Sequence, residues 1–282
     1  MIGEAEELEV TSIQVGVVQL RMIEAGPHQA SEAVVFIHGN PGSCEDFKGL
    51  VAAAGVAHRA VAIELPDFGQ TIAAPGFGHT VHEYTDFLDD ALTTLGIERV
   101  QLVLHDLGGL VGLSWTLANP DKVASVTLLN TGVLPGYKWH RAARIWQTPG
   151  LGEVAQGVLT RGVFRRATGN AEPRGLPREF LDQMYDNFDR RTRKAVLDFY
   201  RDIKDIGDVS RLMLEPLARL DLPCLVIWGA ADPYLPIEFA EKQRQAFPSA
   251  YIHTLENSGH WPYIDDPATV TPLVVEFVSS IE

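Results

Sequence analysis

The chain has 282 residues, 46% of them apolar and 21% charged, which is enough for one large soluble domain with a sizeable core. Its formal net charge of −14 argues against nucleic acid or an anionic membrane as a partner. Two cysteines, Cys44 and Cys224, make neither a disulfide framework nor a metal-type spacing; a metal and a cofactor are not among the expectations.

The amino-terminal "MIGEAEELEV" is acidic and has no apolar signal core, and no run of 18 apolar residues follows anywhere, so a cytoplasmic protein is the simplest expectation. Residues 8–24 carry two β-rich runs that suit a leading hairpin. "AVVFIHG" (33–39) reads as a buried strand and "SCEDFKGLVAAAG" (43–55) as a helix with Ser43 as its N-cap. "RAVAIELP" (59–66) is the next strand. "TVHEYTDFLDDALTTLG" (80–96) is an amphipathic helix opened by a Thr80–Glu83 capping box. "RVQLVLH" (99–105) is a strand, "LGGLVGLSWTLA" (107–118) a helix and "KVASVTLLN" (122–130) a sixth strand-like run. This alternation predicts an α/β fold with a mostly parallel sheet covered by helices.

The rhythm breaks at residue 132. Up to residue 220 the chain is helical, aromatic and Arg-rich, as in "GYKWHRAARIW" and "RTRKAVLDFYRDI". It then resumes with "CLVIWG" (224–229), a helix after Pro236, "AYIHTLE" (250–256) and a final helix. The expected organisation is a core of residues 1–131 and 221–282, with residues 132–220 as a helical cap inserted after the sixth strand.

Three of these strands run into polar residues at their carboxyl ends, where open α/β sheets bind ligands. Asp106 follows strand 99–105, Asp232 follows strand 224–229 in "WGAADPYLP", and His260 follows strand 250–256 in "NSGHWPY". Taken alone, Asp106 reads equally as a helix N-cap, Asp232 as a turn initiator before proline and His260 as a loop histidine. Together they lie on one sheet edge, which favours a catalytic set. The loop "IHGNPGS" (37–43) after another strand suits backbone N–H groups that point into the site.

With these residues in view, the chain resembles the α/β-hydrolase fold superfamily over nearly its whole length. "HGNPGS", "HDLGG", "GAADPYLP" and "SGHWP" stand where that superfamily has its oxyanion loop, nucleophile elbow, triad acid and triad histidine. Asp at the elbow, in place of Ser, is similar to the branch that holds epoxide hydrolases and haloalkane dehalogenases. That branch commonly has Trp after the nucleophile, where this chain has Leu107.

A carboxylate that attacked an ester or amide carbonyl would be expelled again, whereas attack on a saturated carbon gives an alkyl ester. His260, oriented by Asp232, would then activate water against that ester, and the oxyanion would rest on the N–H groups of Asn40 and Leu107. The resemblance implies an epoxide hydrolase acting on a small apolar substrate with water. The alternatives are a haloalkane dehalogenase, in which Asn40 would hold the halide, and a non-catalytic ligand-binding protein. It also implies donors from the cap. Tyr200 in "LDFYRDI" matches the family's lid tyrosine, Trp146 lies near the place of the other, and Tyr137 and Tyr185 are further candidates. Trp139 is a second indole able to replace the donor that Leu107 lacks. A monomer or homodimer is expected.

Overall fold

The structure, a computed structural model, describes residues 7–169 and 172–281. The acidic residues 1–6, part of the segment expected to lack a signal core, lie outside the described residues.

Strands β1 (Glu9–Val15) and β2 (Val18–Ala25) form the leading antiparallel hairpin, and β2 pairs antiparallel with β4 (Arg59–Ile63). From there the sheet is parallel through β3 (Glu32–Ile37), β6 (Arg99–His105), β7 (Val123–Leu129), β8 (Cys224–Gly229) and β9 (Tyr251–Leu255). The two-residue β5 (Ile72–Ala73) adds to the edge of β2, so the cap follows the seventh strand and not the sixth. Two residues are too short to give a periodicity, which is why the sequence reading passes over β5.

Every residue of β4 and β8 is buried, as is all of β3 except Glu32, because helices cover both faces. These helices are α1 (Lys48–Gly55), α2 (Val81–Thr94), α3 (Leu107–Ala118), α10 (Glu238–Lys242), α11 (Pro262–Asp265) and α12 (Pro267–Ser279). The expected helix at 43–55 is split. Ser43 caps a 3₁₀ turn, Cys44–Phe47, before α1 begins. The Thr80–Glu83 capping box is present at the start of α2.

Between β7 and β8 lie six helices: α4 (Arg141–Gln147), α5 (Leu151–Gly157), α6 (Arg161–Gly169), α7 (Arg178–Asp186), α8 (Arg190–Asp202) and α9 (Ile206–Leu220). Helix α8 fastens this cap to the core. Thr192 Oγ1 donates to the Asp67 carbonyl (2.9 Å), and Asp202 accepts from the Val81 N–H at the start of α2 (3.0 Å). The buried His79 ring bridges Asp67 (2.9 Å) and Asp198 (3.0 Å). Residues 132–220 hold sixteen Lys and Arg against eleven Asp and Glu, while the rest of the chain holds seven against twenty-six. A basic cap therefore sits on a strongly acidic core. Among the described residues no helix is long and apolar enough to cross a membrane.

Candidate active site

The parallel register brings the ends of β3, β6, β7, β8 and β9 to one edge. Asp106 sits there with φ 47° and ψ −121°, a conformation that costs a non-glycine residue on the order of 1–3 kcal/mol. The turn closes because α3 comes very near β3. A Cβ on Gly108 would meet the carbonyl oxygens of Ile37 and His38. Thr131 Oγ1 donates to the Asp106 carbonyl at 2.6 Å and braces the turn from β7.

The Asp106 carboxylate is divided between two partners. Oδ1 accepts from the Asn40 N–H at 2.7 Å, and Oδ2 lies 3.4 Å from His260 Nε2. Leu107, whose N–H was expected beside that of Asn40, is the next residue and opens α3. His38 steadies the loop from β3. Its Nδ1 bonds the Gly39 carbonyl (2.9 Å) and its Nε2 accepts from the Leu65 N–H (3.1 Å), while burial pushes its pKa down to about 4 and leaves it neutral.

His260 is 2% exposed, and its Nδ1 lies 2.7 Å from Asp232 Oδ2. Asp232 is anchored on both oxygens. Oδ1 accepts from the N–H groups of Tyr234 (2.7 Å) and Leu235 (2.9 Å), and Oδ2 from Asn130 Nδ2 (2.7 Å). Asn130 in turn accepts from the Gly229 N–H at 2.8 Å, joining the ends of β7 and β8. Burial works against a charge on His260, but Asp232 and Asp106 on either side outweigh it and hold the imidazole pKa well above its ordinary value. Burial would raise the Asp106 pKa, and the hydrogen bond and charge of His260 bring it below the usual carboxylate range. The two shifts run in the directions that favour an imidazolium beside a carboxylate.

His105, at the end of β6, braces the neighbouring loop. Its Nε2 bonds the His260 carbonyl (2.9 Å), and Tyr263 reaches its Nδ1 (3.3 Å). Burial pushes the His105 pKa down to about 3, so it braces the His260 loop as a neutral ring.

A cavity of about 140 Å³ lies over Asp106 and is roofed by the cap. Tyr200, Trp146 and Tyr137 line it together with Asn40, His260, His140, Tyr234 and Phe164. Burial and the nearby Asp106 charge push the Tyr200 phenol well above its usual pKa, so it stays a proton donor. The Asn40 side-chain nitrogen and oxygen are both buried without a hydrogen-bond partner. The Trp146 and Tyr200 ring centroids are 5.0 Å apart.

Not every expected donor is available. The Tyr137 hydroxyl donates to the Tyr234 carbonyl (2.9 Å), and the Trp139 N–H to the Ile203 carbonyl (3.1 Å). Tyr185 stands outside the cavity lining, with its hydroxyl on the Leu159 carbonyl (3.3 Å) and its ring under Arg161. Tyr234 and His140 were not singled out from sequence. The Tyr234 ring packs 5.1 Å from that of His260, and its position inside "DPYLP", two residues after Asp232, is the signal that could have found it. His140 caps α4 through Nδ1, and burial pushes its pKa down to about 4. Among the described residues one group of metal-type side chains lies together, Glu9, Glu24 and His28, on the leading hairpin and away from this cavity.

Comparison with known proteins places this architecture. Residues 34–273 match the model of the alpha/beta hydrolase family. A cis-3-alkyl-4-alkyloxetan-2-one decarboxylase from Xanthomonas campestris pv. campestris is 26% identical, over 93% of this chain and 92% of its own. An epoxide hydrolase from Vigna radiata superposes with a TM-score of 0.80 at 21% identity, covering 98% of this chain and 99% of its own. A haloalkane dehalogenase from Bradyrhizobium elkani USDA94 gives 0.83 at 21% identity, over 97% and 98%.

Proposed function

The chain belongs to the alpha/beta hydrolase family, and from that membership we propose that it is an Asp-nucleophile hydrolase that opens an oxirane to a diol. The observation that carries this reading is the division of the Asp106 carboxylate, with one oxygen on the Asn40 N–H and the other beside His260, under a cavity lined by phenols. Asp106 attacks an oxirane carbon, the C–O bond breaks, and the alkoxide takes a proton through Tyr200 or Tyr234, leaving a hydroxyalkyl ester.

The resting charge of His260 suits such a step. A ring-opened alkoxide consumes one proton, which the imidazolium can supply through the phenol. Esterification also removes the negative charge of Asp106 that had held the His260 proton in place. His260 then becomes a neutral base at the moment when water must attack the Asp106 carbonyl carbon. The new oxyanion rests on the Asn40 and Leu107 N–H groups. Collapse releases the diol, and the proton taken from water restores the imidazolium. Two relatives also support a strained oxygen ring: an epoxide hydrolase by its name acts on an oxirane, and an oxetan-2-one is a four-membered lactone. A cavity near 140 Å³ suits a compact apolar substrate, since a hole of about 150 Å³ accepts benzene.

A second reading is halide release. The unpartnered Asn40 amide lines the cavity and offers the donor that a departing halide needs, whereas Leu107 offers none. The test is His260→Gln, incubated with small epoxides and bromoalkanes and read by intact-protein and peptide mass spectrometry. One adduct on Asp106, with ester hydrolysis stalled, is the expected result, and the substrate that forms it identifies the chemistry. Normal turnover by the variant, or an adduct elsewhere, removes the mechanism.

A further inference from the structure

The cap reaches the His260 loop as well as the substrate cavity. Glu172, between α6 and α7, is 5% exposed, and its two carboxyl oxygens lie 2.9 and 3.1 Å from the His260 main-chain N–H. The preceding N–H, that of Gly259, donates to Asp265 Oδ2 at 2.6 Å. Two successive N–H groups of one turn are therefore taken by two carboxyl groups, one from the cap and one from α11. Asp265 also faces Glu172, and its charge opposes ionisation of the Glu172 carboxyl. Gly259 makes the approach possible, because a Cβ there would overlap the Glu172 carboxyl and would lie 2.9 Å from Pro173 Cδ. Arg174 extends the strap by donating to the Asp265 carbonyl at 3.2 Å. On its other side the His260 carbonyl is held by His105. The peptide that carries the ring is thus gripped at its N–H by the cap and at its C=O by the core.

We propose that Glu172 is a positioning residue that ties the cap to the aim of the His260 ring through the His260 main-chain N–H. The inference rests on the reading of His260 as the base for ester hydrolysis. Burial pushes the Glu172 pKa up to about 7. The charged His260 favours its ionisation, and Asp265 and Asp232 oppose it. Tyr234 and Tyr263 also face it, and Arg174 lies beside it on its own segment. The sign follows from the raised value. Below about 7 Glu172 is neutral; above it the carboxylate confronts the Asp265 carboxyl, and like-charge repulsion loosens the strap.

The test follows the His260 ring by ¹⁵N NMR of the whole 282-residue chain across the neutral range, in wild type, Glu172→Gln and Glu172→Ala. Single-turnover rates of ester formation and ester hydrolysis are measured on the same proteins. In wild type the ring signals show a step near pH 7. Glu172→Gln keeps an acceptor for the His260 N–H but cannot ionise, so the step disappears and hydrolysis becomes flat across that pH. Glu172→Ala loses the acceptor and slows ester hydrolysis by about 10²-fold, the scale of a small misplacement, with ester formation changed by less than about threefold. A step that persists in Glu172→Gln overturns the proposal, as does an alanine variant that slows both half-reactions equally or neither. Should the alanine variant fail to fold, the glutamine variant alone decides. The NMR step needs no substrate, so failure to form an ester on Asp106 would count against the reaction and leave the Glu172 result standing.

Discussion

Asp106 combines a strained backbone with a divided carboxylate, and in the proposed reaction the side chains above it decide what it attacks. Two phenols remain as proton donors once Tyr137 is committed to a main-chain carbonyl. Tyr200 stands beside Asn40 on the cap, and Tyr234 meets the His260 ring edge-to-face from the core. Acid assistance to a leaving oxygen is worth about 10²–10⁴-fold. Tyr200→Phe should therefore lower the rate of ester formation on an epoxide by at least about 10²-fold, and Tyr234→Phe should cost clearly less. Stopped-flow alkylation rates check this, and the reverse ranking would pass the acid role to Tyr234. The meeting of Asp106, Asp232 and His260 was legible in the sequence because each follows the carboxyl end of a strand-like run, and the ends of parallel strands meet. Tyr185 illustrates the opposite case. A tyrosine on a helix advertises its ring, but the sequence does not say whether its hydroxyl meets a cavity or, as here, the Leu159 carbonyl. Glu172 was invisible for a similar reason, because its partner is a main-chain N–H 88 residues away.

At the scale of elements, the site depends on the approach of α3 to β3. Gly108 lies where the helix backbone nearly touches the carbonyls of Ile37 and His38. Gly108→Ala must push the helix and strand apart, and overpacking of this kind costs about 1–3 kcal/mol. It should also move Asp106 away from the Asn40 N–H. The expected outcome is a lower melting temperature together with a loss of ester formation larger than that of ester hydrolysis. An alanine variant with wild-type stability and rates would mean that the contact is not tight. The strands and α2 were legible because their period and caps agree, as at Thr80 and Glu83. The short β5 was not, since it exists only as an addition to the edge of β2. Within the cap the sequence announced helices but not their arrangement, which is set by contacts such as the Arg201 fork on Glu153 at 2.9 Å.

At the scale of the whole molecule, the cap and core meet at the α8 contacts with Asp67, at the Glu172 strap and at the cavity wall. The two bodies also carry opposite charge, with an excess of five basic groups in residues 132–220 and of nineteen acidic groups elsewhere. At physiological salt the field of each body fades within about 8 Å, so a nearby charged surface senses the face turned towards it more than the net charge. The molecule is in this sense a dipole, with the cap as its positive pole. On a cationic matrix it should settle core-down with the cap facing the solution. On an anionic matrix the few molecules that adsorb should settle cap-down, with the roof of the cavity against the solid. Turnover per bound molecule should then be several-fold higher on the cationic support, and the difference should vanish as salt is raised. Equal turnover on both supports at low salt would show that the charges do not orient the protein. A supply of neutral substrate gains nothing from such a field, so its consequence is directional: it sets which way the enzyme faces.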